Sequence, residues 1–237
     1  MSINTKYRSD APEIMDDFQL EGKILEDALT KIAKINHFLG GNKLTLQGLK
    51  LLLKNCDTTR EIKIVDVGCG NGDMLRYIAN YGNKKNYNFK LIGIDANKFT
   101  IQCAEDLSKN YENISYSCFD IFSKQFSELK YDIVLSTLTL HHFKNKDILK
   151  LMGVFNENSN IGIVINDLQR SKIAYRLFQL VCFIFRLNKM PKQDGLVSIL
   201  RGFKKQDLVN FSNKLNLKKY NLTWKWAFRY QWIIKKL

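Results

Sequence analysis

The chain has 237 residues, 45% of them hydrophobic and 25% charged, with a formal net charge of +14. That is enough chain to bury a sizeable core without disulfides or metal, and the balance excludes a disordered or collagen-like polymer. The opening stretch lacks the apolar segment of a secretion signal. The apolar run at 173–185 is interrupted by Arg176 and Gln179 and falls short of the roughly 20 residues that span a bilayer, so a cytoplasmic protein is expected.

Residues 23–39 place Ile24, Leu25, Ala28, Leu29, Ile32, Ile35 and Leu39 at helical spacing, and Gly40-Gly41 ends the predicted helix. A second short helix is expected at 44–53. Then the pattern changes. IKIVDV (62–67), FKLIGID (89–95), ISYSCF (114–119), YDIVLS (131–136) and IGIVIN (161–166) are short, β-rich, apolar runs. Helix-like stretches at 73–81, 97–110 and 145–156 separate them, with a short helix within 121–130. This alternation predicts an α/β fold with a mostly parallel sheet covered on both faces. After 166 it breaks. An aromatic-rich helical stretch (172–187) is followed by a helix at 204–214 and two strands near 217–223 and 227–235, forming a hairpin around Trp224. With two prolines and no Pro/Gly/Ser-rich linker, one domain is expected over 1–237. Its parts are a helical cap at 1–55, a core at 60–167, a lid at 168–203, and a final helix with edge strands at 204–237.

The charge is uneven. Residues 1–169 hold 21 Lys/Arg and 21 Asp/Glu, whereas 170–237 hold 16 Lys/Arg and only Asp194 and Asp207 as acids. A basic final third suits a Lys-rich solvated surface, or an anionic partner such as nucleic acid, a membrane surface or an acidic carrier protein. Cys56, Cys69, Cys103, Cys118 and Cys182 are scattered with no C-x-x-C pair, so neither a zinc site nor a disulfide framework is expected.

The central motif is VDVGCGNGD, residues 65–73. A hydrophobic strand ends in a glycine-dense turn and opens a helix, at the strand end where open parallel sheets bind ligands. The spacing is G-x-G-x-G, not the G-x-G-x-x-G that seats a pyrophosphate on a helix N-terminus. Asp66 lies two residues before Gly68 and can pair an ammonium. The pattern therefore suits S-adenosylmethionine (SAM), which has no phosphate, better than NAD. Asp95, in GIDAN, stands where an acid accepts from ribose hydroxyls. Asp120, in CFDI, can accept from an adenine amino group or serve as a turn cap.

VDVGCGNGD, GIDAN, CFD and YDIVLSTLTLHHF occur in this order over about 62–143, and with them the chain resembles class I SAM-dependent methyltransferases. The resemblance implies a Rossmann-like, seven-stranded sheet with an antiparallel last strand. It implies that Asp66, Gly68 and Gly70 hold the methionine end, Asp95 the ribose, and Asp120 with Ile121 the adenine, with Cys69, Asn71 and Ala96 also binding the cofactor. Ser136 and Leu138 would line the methionine side. RSDAPEIMDD, INHFLGG, NDLQRSKIAYRLF and DGLVSILRGF resemble a bacterial small-molecule subgroup, some members of which are encoded near polyketide-type enzymes. That implies an apolar, phenol-like or polyketide-derived acceptor.

The segment after the fourth strand, Ser136-Thr137-Leu138-Thr139, has no proline-rich turn of the kind used for amide or exocyclic nitrogens, and no Pro-Cys pair exists for cytosine C5. Asp167 is the only acid near the end of the fifth strand, so no metal is expected. His141 and His142 follow the fourth strand, and a histidine there suits a base that deprotonates an acceptor oxygen or carbon near neutral pH. The alternative is that they cap the next helix or pack beside Phe143. Asp167 would orient a histidine or the acceptor, or cap a turn. Arg8 and Met15 are weaker candidates on the cap. Methyl transfer to a small molecule leads. A nucleic-acid methyltransferase using the basic final third, and an NAD-dependent or SAM-sensing binder, are the competing readings.

Overall fold

The structure is a computed structural model and describes residues 3–54 and 56–236. Helices α1 (Lys23–Phe38) and α2 (Gly41–Leu53) precede the sheet. β1 (Ile62–Val67), β2 (Phe89–Asp95), β3 (Ile114–Cys118), β4 (Tyr131–Thr137) and β5 (Ser159–Leu168) alternate with α3 (Asp73–Lys85), α4 (Lys98–Leu107), α5 (Lys124–Glu128) and α6 (Asn145–Asn158). Then come α7 (Lys172–Ile184), α8 (Lys189–Arg201) and α9 (Lys205–Lys214), before β6 (Tyr220–Lys225) and β7 (Arg229–Lys235). The sheet runs β3-β2-β1-β4-β5-β7-β6. β1 to β5 are parallel, and β7 is antiparallel to both neighbours.

Position in the sheet explains strand composition. β1 and β4 lie at the centre and are buried almost throughout, so they read as continuous apolar runs. β6 is an edge strand and is only partly buried, with Asn221 and Trp224 exposed. One face of the sheet packs Phe126, Ile148, Leu151, Phe155, Leu208 and Phe211 from α5, α6 and α9 around the fully buried Trp232. The other packs Leu49, Leu53, Leu75, Ile78 and Ile101 from α2, α3 and α4. Strand order reverses between β1 and β4, which opens a crevice at their carboxyl ends.

Three expectations need correction. Residues 168–203 hold two helices, α7 and α8, where one was expected. Gly40-Gly41 not only ends α1: Gly40, at φ +77°, is the N-cap of α2, which starts three residues before the predicted 44. Trp224 lies within β6 opposite Tyr230, and the hairpin turns at 226–228, where Phe228 has φ +54°. Among the described residues no helix is long and apolar enough to cross a membrane.

Candidate functional site

A cavity of about 760 Å³ opens at the crevice. Its sheet side is the glycine turn after β1. Gly68 and Gly70 have φ +68° and +53°, a region that side chains disfavour. A Cβ on Gly68 would strike Thr139 at 2.4 Å, whereas one on Gly70 would meet nothing nearer than Leu29 at 3.9 Å, on the open side of the turn. The turn is pinned by Asp95 at the end of β2: its carboxylate accepts from the Gly70 N–H at 3.2 Å and the Asn97 N–H at 3.0 Å. Burial pushes the Asp95 carboxyl up, against these hydrogen bonds and that of the Ala96 N–H. Asp66 is 2% exposed, and among the described residues its Oδ1 has no partner. Burial, with Asp95 and Asp73 nearby, pushes it up to about 8.

Of the residues expected to hold a cofactor, Asp66, Gly68, Cys69, Gly70, Asn71, Asp95, Ala96, Asp120, Ile121 and Leu138 all line this cavity. Ser136 does not: it is buried within β4, and Thr137, Leu138 and Thr139 supply that wall instead. Asp120 is exposed, and its Oδ1 also accepts from the Phe122 N–H at 2.8 Å, so it caps a turn as well as facing the cavity. Burial pushes the Cys69 thiol well up, and it packs as an apolar side chain.

The histidine pair lines the same cavity, on a 3-10 turn (Leu140–His142) after β4. His141 is 2% exposed, and its Nδ1 lies 2.7 Å from Asp167 on β5. Asp167 also accepts from the His141 and Leu168 N–H groups. Burial alone would raise its carboxyl, yet the charge and hydrogen bond of His141 hold it below the usual range. His142 places its Nδ1 2.7 Å from Asp16. Burial works against Asp16 too, but hydrogen bonds from His142 and Arg201 hold it well below the usual carboxylate range. Glu13 faces both histidines from above, with Oε1 3.7 Å from His141 Nε2 and Oε2 3.9 Å from His142 Nε2. Burial pushes Glu13 up to about 7, against the pull of His142, the Ser198 hydroxyl and Arg201.

Glu13 and Asp16 are brought here by α8. The N–H groups of Ile14 and Met15 donate to Asp194 at 2.8 and 3.0 Å, Ser198 donates to Glu13 at 2.7 Å, and Arg201 donates to Asp16 at 2.6 Å. Asn97 holds the following stretch through the carbonyls of Phe18 and Leu20. Arg8 lies outside the cavity lining. It donates to the carbonyls of His141 and Arg201 and stacks on Phe203, so it positions the histidine turn. Met15 lines the cavity, as do Leu177, Phe178, Val181 and Ile184 of α7.

Sequence reading missed Glu13, Asp16 and Arg229. The acidic residues flanking Ile14-Met15 were the available signal for the first two. Arg229 lines the cavity at the start of β7, buried, with Nε and Nη1 unpartnered among the described residues. Burial pulls its guanidinium down to about 10, against the charge of Asp167. Arg170, Arg201 and Arg229 are all buried, so part of the basic surplus of the final third is internal.

A family model described as "Methyltransferase domain" matches residues 58–215, well over half of the chain. Among curated relatives, the ubiquinone biosynthesis O-methyltransferase of Rickettsia typhi is 30% identical over 133 residues, covering 56% of this chain and 51% of that protein. The protein-lysine N-methyltransferase EFM4 of Saccharomyces cerevisiae is 28% identical over 159 residues, covering 65% and 58%. The matches span between 4% and 58% of the length of the curated relatives. Among solved structures, the plantazolicin methyltransferase BamL, in complex with a triazolic desmethylPZN analog and SAH, aligns with a TM-score of 0.64 at 13% identity, covering 88% of this chain and 90% of that one. The chain belongs to the methyltransferase-domain family, with the class I SAM-dependent fold.

Proposed function

We propose that the protein transfers a methyl group from SAM to an oxygen or carbon of a small, apolar, phenol- or polyketide-like acceptor. The observation that carries this reading is one continuous cavity, lined both by the glycine turn, Asp66 and Asp95 and by Glu13, His141 and His142. The residues present fit the cofactor. The unpartnered Asp66 oxygen suits its ammonium, the open side of Gly70 suits close backbone approach, and Asp95 suits the ribose hydroxyls. Bound SAM would supply an activated sulfonium methyl. The chain's own residues then hold the acceptor in line, exclude water and provide for loss of its proton. Apolar side chains of α7 wall the acceptor end and suit a lid, and the Glu13–His141–His142 cluster is where the proton is lost. Arg229 would steady an anionic oxygen of the acceptor or the carboxylate of the cofactor.

Calorimetry with SAM, with NAD as the control, tests the cofactor. A screen of apolar phenols with labelled SAM tests the acceptor. NAD binding without SAM binding would overturn the reading.

The buried carboxyl at 66 makes a sharper prediction. Below about 8 it carries a proton in the free protein, whereas an ammonium placed beside it favours the carboxylate. Cofactor binding near pH 7 should therefore release about one proton, and affinity should rise with pH between about 6 and 7.5. Calorimetry in buffers of different ionisation enthalpy checks this. Asp66→Asn should bind more weakly and lose the buffer dependence.

For a nucleic-acid acceptor, binding should fall steeply with salt as counterions are released. Methylation of a small phenol that is insensitive to salt is the expected result, and a steep salt slope on RNA would favour the competing acceptor.

A further inference from the structure

We propose that Glu13, His141 and His142 hold one divalent transition-metal ion of the zinc type, with an open coordination position facing the cavity. The ion's role in catalysis rests on the methyl-transfer reading; its binding does not.

One ligand atom from each of the three residues lies within 4.8 Å of the other two. The Glu13 oxygens stand 3.7 and 3.9 Å from the two Nε2 atoms, too far for hydrogen bonds. Donors at about 2.0–2.2 Å from a tetrahedral zinc are roughly 3.3 Å apart, so modest closure would seat the ion. His141 Nε2 and Glu13 Oε1 are buried, and among the described residues neither has a hydrogen-bond partner, the Arg201 guanidinium lying 3.6 Å from that oxygen. Buried polar atoms left unpaired are costly, and an ion seated between these two would relieve both.

The surroundings point to a cation. Each histidine has Nδ1 at 2.7 Å from a carboxylate, His141 on Asp167 and His142 on Asp16. A carboxylate at that distance holds a proton on Nδ1, so that the neutral ring turns its Nε2 lone pair toward Glu13. Histidines that ligate metals are held in this way, and the carboxylate raises their basicity. Here the arrangement occurs twice, on adjacent residues whose rings are 4.4 Å apart. Two imidazoles and one carboxylate favour zinc and its neighbours over magnesium or calcium, which take oxygens. Three protein ligands with the cavity on the fourth side match a catalytic zinc site rather than a closed structural one. An acidic hydroxyl of the acceptor taken at that side would lose its proton to water near neutral pH. Its oxygen would then form the new bond to the methyl carbon as the carbon–sulfur bond of the sulfonium breaks, with no oxidation or reduction. No metal was expected from sequence, because Asp167 was the only acid near β5. The third ligand comes instead from residue 13.

The test strips the full chain with a chelator and titrates it with Zn²⁺ alone, by calorimetry, with SAM binding measured separately. One Zn²⁺ per chain is expected, with no comparable binding of Mg²⁺. Co²⁺ should give the visible absorption of a low-coordinate nitrogen/oxygen site. His142→Ala, at a half-buried position, should weaken Zn²⁺ binding at least tenfold. Asp16→Asn, which keeps all three ligands, should weaken it about 10–100-fold. Thermal melting establishes that both variants are folded. Zn²⁺ affinity unchanged in His142→Ala would place the ion elsewhere, for example on the cysteines, and overturn the proposal. So would a chain that binds SAM but no Zn²⁺. Zn²⁺ bound with SAM refused would leave the metal site standing and sink the methyl-transfer reading.

Discussion

Asp95→Ala is expected to abolish measurable SAM binding while leaving the protein folded. The side chain has two tasks. It pins the glycine turn through the Gly70 N–H and the entry to α4 through the Asn97 N–H, and it offers its remaining lone pairs to the cofactor's ribose. Hydrogen bonds to a charged group are worth about 1.5–3 kcal/mol each. Losing two weakens binding by about 3–6 kcal/mol, which is of the order of 10²- to 10⁴-fold. The fold should survive, because Asp95 ends its strand and the packing beneath it is carried by Leu91 and Ile94. Calorimetry gives the affinity, and circular dichroism with thermal melting gives the fold. Affinity retained within a few-fold in a folded variant would move the cofactor away from this end of the cavity.

His142→Ala should lower turnover by about 10²- to 10⁴-fold, the range for losing a group that manages a proton in the transition state. SAM affinity should stay within a few-fold, since the ring bonds Asp16 while the glycine turn is pinned by Asp95. A change in kcat with an unchanged cofactor constant is the signature sought. Unchanged turnover would leave His142 as a mere anchor for Asp16, tying the segment to the 3-10 turn and nothing more.

The parallel core was legible because burial on both faces makes each central strand a continuous apolar run, bounded by turn residues. β1 and β2 start and stop where their composition says. β5 runs on to Leu168 through polar Asn166 and Asp167, because β7 continues the ladder there and pairs them with Gln231 and Tyr230. α8 escaped sequence reading for a related reason. Its buried side mixes Met190, Pro191 and Ile199 with Asp194, Ser198 and Arg201, so no apolar stripe marks it. Those last three are buried because they hold the chain at 13–16. The cofactor end of the site was legible for its locality, since each residue follows a strand by one or two positions. Glu13 was not, because no local period links residue 13 to residue 141. Only the packing of α8 brings them together.

The hydrogen bonds from Ser198 to Glu13 and from Arg201 to Asp16 each join residues 185 positions apart. During synthesis, then, the carboxylates emerge early and wait for α8, while β1 and β2 with the glycine turn between them can form from neighbouring sequence. Completion of the acceptor's surroundings is thereby tied to the folding of the last third of the chain.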